Sequence, residues 1–130
     1  MGDSQYYGGD TASALSSYRK AISLAEQRLK VNPRDPGVLA DLASYHSMLG
    51  DRKEALSYLD RSLQLGNGDK DLLLNAAVVY NQLRETGPAL EWLGKALAAG
   101  YSRSVIATGA PFDNLHDNPR YRALMQEKQR

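Results

Sequence analysis

The chain has 130 residues, 42% of them hydrophobic, which supports a folded core and argues against a disordered chain. Its 16 basic and 15 acidic residues give a net charge of +1, so electrostatics offers no reason to expect nucleic acid or an anionic membrane as a partner. Cysteine is absent, which excludes disulfides and thiolate metal sites. Without an apolar run of ~20 residues or a signal-peptide pattern, the chain is expected to be soluble and cytoplasmic.

Residues 1–35 predict part of a helical hairpin. This stretch aligns with the next at an offset of 41 residues, seven more than the spacing found downstream, which predicts a helix about two turns longer than its counterparts. We expect that helix to begin after Asp10 and to run to about Lys30 or Val31. Gln5–Tyr7 predict the last turn of a preceding helix, so the chain is expected to begin inside a repeat of a longer protein.

Residues 36–69 predict a complete helical hairpin. Asp35 can cap a helix that has Pro36 at its first position, and Gly50 breaks the chain before a second helix that ends at Gly66. Both helices carry large and small residues at helical spacing, a pattern typical of two closely packed helices. The stripes are Leu39, Leu42, Ala43, His46 and Leu49, then Ala55, Leu56, Leu59, Ser62 and Leu63.

Residues 70–103 repeat this plan. Asp69 is the expected cap, Thr86-Gly87-Pro88 starts the second helix, and Gly100 is expected to end it in the left-handed conformation. A period of about 34 residues with two helices per unit predicts an all-α helical solenoid, in which units stack to bury their apolar faces.

The period is lost from Tyr101, and residues 104–130 predict a C-terminal capping segment. A short helix is expected from about Ser102, and Asn118 is the expected cap of a last helix that begins at Pro119. The side chains expected to pack on the last hairpin are Phe112, Leu115, Tyr121 and Leu124.

Both complete units resemble tetratricopeptide repeats. The signature positions are filled by Leu39, Leu42, Ala43, His46, Ala55, Leu59 and Ser62, and by Leu73, Ala76, Ala77, Tyr80, Ala89, Leu93 and Ala96. The chain departs from the family in lacking the usual tryptophan at the first signature position, and in having Asn67 and Tyr101 where the closing proline is common. The resemblance implies a right-handed α-α superhelix whose first helices line a concave groove. The C-terminal ending also resembles that of repeat modules in bacterial multidomain signalling proteins.

By this resemblance, a second stripe on each first helix faces the concave groove and is expected to bind a peptide. We expect Asn75, Asn81 and Gln82 to bond a peptide backbone, and Met48, Leu74 and Val78 to accept apolar side chains. The alternative for Leu74 and Val78 is packing of helix against helix. The complete candidate set is Asp41, Ser44, Met48, Asp71, Leu74, Asn75, Val78, Asn81 and Gln82.

The sequence predicts no catalytic, cofactor or metal site. His46 replaces an apolar residue of the stripe, so a packed and hydrogen-bonded ring is expected, and His116 is expected to bond the neighbouring turn. Capture of a carboxylate tail of the chaperone type is not expected, because Ala40 and Leu74 stand where lysine is needed. Asp41 would also repel a carboxylate.

The expected function is therefore non-catalytic binding of a protein or peptide partner, without nucleic acid or membrane. A second hypothesis is a homodimer through the N-terminal helix, whose apolar edge is expected to lack its normal cover. That edge is Leu15, Tyr18, Ile22, Ala25 and Leu29. A third is a regulatory C-terminal module of a larger bacterial signalling protein, with a kinase, cyclase or transcription-regulator domain. An enzyme is not expected.

Overall fold

The computed structural model describes residues 11–66, 68–108 and 112–126, with side chains from Leu15 onward. Every regular element in these ranges is helical. The helices are α1 (Thr11–Val31), α2 (Pro36–Met48), α3 (Arg52–Leu65), α4 (Lys70–Gln82), α5 (Thr86–Ala98), α6 (Arg103–Thr108) and α7 (Pro119–Gln126), with a 3-10 turn at Asp113–Leu115. The predicted all-α fold with helical repeats is confirmed.

The helix boundaries follow from local chemistry at the caps. The Asp35 carboxylate accepts hydrogen bonds from the backbone N–H groups of Gly37 and Val38, at 3.0 and 3.2 Å. Asp69 and Asn118 cap α4 and α7 in the same way. These bonds satisfy N–H groups that have no partner within the helix, so all three predicted caps are confirmed.

The long first helix is also confirmed, because α1 has 21 residues against 13 or 14 in α2 to α5. The predicted helical turn at Gln5–Tyr7 lies outside the described residues.

The described residues divide into two compact units between Leu65 and Gly66. In the first unit α2 and α3 form a hairpin in which Ala43, Ala55 and Ser62 have no exposed surface. The Ser62 hydroxyl donates to the Pro36 carbonyl at 2.9 Å, which joins the last turns of α3 to the start of α2.

Helix α1 packs on this hairpin through part of the apolar edge that was predicted to form a homodimer. Ile22 and Ala25 are buried in a cluster with Val38 and Leu42, and Leu29 packs against it. The expectation that this edge lacks cover was therefore wrong for these three residues, because α2 already covers them. From Leu15 onward, the large aliphatic side chains that α1 exposes are instead Leu24 and Val31.

In the second unit the tail packs on the α4–α5 hairpin as predicted. Phe112 and Leu115 are 2% and 5% exposed, and Tyr121 and Leu124 pack against the same cluster. The buried members of this cluster are Ala77, Leu90, Leu93, Leu97, Ile106, Phe112 and Leu115.

The turns of the two hairpins differ at one position, where the first has glycine and the second has an arginine with a strained backbone. Gly50 follows the first helix of its hairpin with φ of 78°, and Arg84 occupies the equivalent position of the second hairpin with φ of 65°. A side chain in this region costs roughly 1–2 kcal/mol, which glycine avoids.

We expect Arg84→Gly to increase the free energy of unfolding by about 0.5–1 kcal/mol, because the relief of strain exceeds the entropy that glycine adds to the unfolded chain. The reciprocal change Gly50→Ala should decrease it by a similar amount. Chemical denaturation of both variants measures the effect, and a destabilised Arg84→Gly variant would contradict the strain argument.

Candidate functional site

A groove runs between α1 and α2 within the first unit, and we call it the α1–α2 groove. Its volume is about 120 Å³. It exists because the buried stripe of α1 holds that helix against α2 and leaves the next positions around the helix at the rim. The lining residues are Ala21, Leu24, Ala25, Arg28, Val38, Asp41 and Tyr45.

Asp41 is the charged group of this groove that the sequence had placed on the binding face. Although its side chain is exposed at the rim, desolvation by the groove walls raises the pKa of its carboxyl above the usual value. The charge of Arg28 acts in the opposite direction and Asp35 adds to the rise. The carboxylate has therefore lost part of its hydration and would gain from a donor or cation supplied by a ligand.

The sequence interpretation missed the contribution of α1 to this groove. Leu24 is 56% exposed and stands two positions after Ile22, so it lies off the buried stripe of its helix. Arg28 follows four residues later on the same face. The sequence signal that could have indicated this face of α1 was a leucine outside the core stripe, one helical turn before an arginine.

On α2, the other candidates share the exposed face with Asp41. Ser44 and Met48 follow it at spacings of three and seven residues, which keeps all three on one side of the helix. Ser44 is half-buried and Met48 is 43% exposed. An exposed methionine offers an adaptable apolar contact.

The candidates on α4 are placed less uniformly. Asp71 is exposed, whereas Asn75 and Gln82 are half-buried. Leu74 and Val78 pack against the core cluster of the second unit, which supports the alternative of helix packing for both residues.

Asn81 is buried, with 6% of its surface exposed, and its amide is bonded to the tail. It donates to the amide oxygen of Asn114 at 2.8 Å and accepts from the Asn114 amide nitrogen at 2.9 Å. The expectation that this side chain presents its amide to a ligand is therefore not supported. It instead ties α4 to the 3-10 turn.

We expect Asn114→Ala to lower the free energy of unfolding by about 1–3 kcal/mol, because it leaves the buried Asn81 amide without this partner. Denaturation of Asn114→Ala, Asn81→Ala and the double variant measures the coupling between them. The double variant should lose less stability than the sum of the single changes, and strictly additive losses would contradict the pairing.

His46 is packed as predicted, but the predicted hydrogen bond is missing. Its ring stacks on Tyr58 with centroids 5.5 Å apart, and its side chain is 13% exposed. Nδ1 lies 3.4 Å from the Asp51 carboxylate but does not meet hydrogen-bond geometry. Both ring nitrogens are buried without a hydrogen-bond partner among the described residues.

His46→Phe should therefore increase the free energy of unfolding by about 1 kcal/mol, since it keeps an aromatic ring on Tyr58 and removes two unsatisfied polar atoms. Chemical denaturation checks this against His116→Phe, a change at an exposed histidine that should stay within about 0.5 kcal/mol of the unmodified chain. A large loss in His46→Phe would show that the imidazole has a partner essential to the fold.

His116 lies in the turn before α7, where its ring nitrogen Nδ1 is 3.3 Å from the Asp117 carboxylate. Its backbone carbonyl accepts from the Arg122 guanidinium at 3.2 Å. Within the described ranges, His, Cys, Asp and Glu nowhere gather in a group of three that could hold a metal ion. Nor does any helix there combine the length and apolarity needed to cross a bilayer.

Two helical hairpins built on one repeating plan define a helical-repeat protein. Within it, residues 37–66, which span nearly all of α2 and α3, match the family model of the tetratricopeptide repeat. The match shows that this hairpin is similar to a tetratricopeptide repeat, and such repeats generally mediate protein–protein interactions without catalysis. No curated protein and no solved structure matches the chain significantly.

Proposed function

We propose that this chain is a non-catalytic interaction module that binds an extended peptide segment, or a segment of a partner domain, along α2. The observation that carries the proposal is the α1–α2 groove, which combines an exposed leucine, a rim carboxylate and an arginine within the matched repeat and the helix before it. On α2 the binding set is Asp41, Ser44 and Met48. For the second unit, taken by itself, Asp71, Asn75 and Gln82 on α4 stay predicted binding residues.

The groove residues, and Met48 further along α2, have separate roles in this proposal. Leu24 and Met48 present apolar surface to side chains of the ligand. The Asp41 carboxylate accepts from backbone N–H groups or a basic side chain of the ligand, which compensates its lost hydration. Arg28 donates to the ligand's carbonyl groups.

Preorganisation gives this arrangement its affinity. Helices α1 and α2 are held together by the buried Ile22, Ala25, Val38 and Leu42, so the groove exists before the ligand arrives. The ligand then loses conformational entropy on binding while the receptor loses little. The homodimer and the regulatory role in a larger bacterial signalling protein stay predictions.

Leu24→Lys tests the groove because it places a charge on the apolar rim. Val31→Lys is a matched control, since Val31 is an exposed aliphatic residue at the end of the same helix and does not line the groove. Proteins captured from a lysate by the three immobilised chains are quantified by mass spectrometry. Those captured by the unmodified chain should fall by about tenfold with Leu24→Lys, corresponding to ~1.4 kcal/mol, and stay constant with Val31→Lys.

Circular dichroism verifies that both variants keep the helical content of the unmodified chain. Equal capture by all three chains would exclude the α1–α2 groove as the binding surface. An equal loss in both variants would assign the effect to added charge and would also reject the proposal.

A further inference from the structure

A second cavity of the first unit lies between the segment that joins α1 to α2 and the last turns of α3. Its volume is about 360 Å³, and we call it the Arg34–Arg61 cavity. The lining residues are Pro33, Arg34, Arg61, Gln64 and Leu65. It shares no residue with the α1–α2 groove.

The two guanidinium groups of this cavity form no ion pair with a carboxylate in the described part of the chain. Arg61 lies over the Tyr58 ring, 5.5 Å from its centroid, which leaves its N–H donors unused by any described carboxylate. The neighbouring acidic side chains accept hydrogen bonds from groups other than these two guanidiniums. Asp35 caps α2, and Asp60 accepts from the Gln64 amide at 3.0 Å.

The second hairpin shows which of these cavity side chains the repeat needs for its own packing. In the second hairpin Lys95 lies over Trp92, 4.2 Å from the ring centroid, so a cation above an aromatic ring belongs to the common plan of both hairpins. Gly68 and Ala98 stand where Arg34 and Gln64 stand in the first. The second guanidinium and the amide are therefore not required to build a hairpin of this kind.

We propose that the Arg34–Arg61 cavity binds an acidic group of a partner polypeptide, either a carboxylate or a phosphorylated side chain. Each guanidinium group carries several N–H donors in one plane, which suits the geometry of such oxyanions. Pro33 and Leu65 provide apolar contact for the aliphatic stem of the acidic residue. The C-terminal end of α3 carries about half a negative charge from the helix dipole, which repels an anion. The two full positive charges of the arginines outweigh this repulsion.

The test uses two fluorescein-labelled probes of equal length, hexaglutamate and a serine peptide with one phosphoserine, measured by fluorescence anisotropy at low salt. The unmodified chain is compared with Arg34→Gln/Arg61→Gln. The control Lys20→Gln/Lys95→Gln removes the same charge from exposed positions outside the cavity, one of them also above an aromatic ring. We expect the cavity variant to weaken binding of a probe by about tenfold or more, and the control to leave it within about twofold.

The two probes identify the source of the oxyanion. Binding of hexaglutamate that requires both arginines supports a carboxylate ligand, and the same result for the phosphoserine peptide alone supports a phosphate ligand. Failure of both probes to bind the unmodified chain, or equal weakening in the cavity and control variants, overturns the proposal.

A site-specific readout accompanies the titration. The side-chain amide resonances of Gln64 should shift on addition of the bound probe, because this amide lines the cavity, while those of Gln82 should not. Saturable binding that leaves the Gln64 resonances unchanged would place the probe elsewhere and overturn the assignment. Leu24→Lys should bind these probes like the unmodified chain, so the outcome is independent of the proposed groove.

Discussion

The close approach of paired helices is the constraint on which the rest of this structure depends. In each hairpin the contact is made by small side chains that have no exposed surface, with Ala43, Ala55 and Ser62 in the first and Ala77, Ala89 and Ala96 in the second. A larger side chain at any of these positions would force the helices apart, because protein interiors have little room for an added methylene group. The surrounding leucines can fill the space above and below only at this separation.

This spacing also decides where polar groups can be placed. Near its ends, a closely packed hairpin can still hold a buried polar group if that group has a hydrogen-bond partner. The Ser62 hydroxyl is an example, because it bonds the Pro36 carbonyl of the other helix. Where no such partner is within reach, a buried polar group is left without a hydrogen bond. The His46 ring is packed on Tyr58 with both nitrogens buried, and Tyr80 at the equivalent position carries its polar atom at the far end of a longer side chain.

The sequence predicted those features that depend on neighbouring residues. Asp35, Asp69 and Asn118 cap helices because each carboxylate or amide meets N–H groups two and three residues further along, and such chemistry can be read from the order of residues alone. The length of α1 was predictable for a related reason. Its seven extra residues are counted directly from the change in repeat spacing.

Features that depend on distant residues were not predictable in this way. Asn81 bonds Asn114 across 33 positions, and the stripe that contains Asn81 gives no sign of whether solvent, ligand or tail covers it. The same ambiguity misplaced Ile22, Ala25 and Leu29 of α1, which α2 covers although the sequence indicated an open edge. Helical periodicity identifies a face, but only the packing partner determines what that face does.

The second hairpin can therefore serve as an internal reference, since positions alike in both hairpins serve the packing. Arg34, whose counterpart in the second hairpin is Gly68, is therefore not needed to build the hairpin.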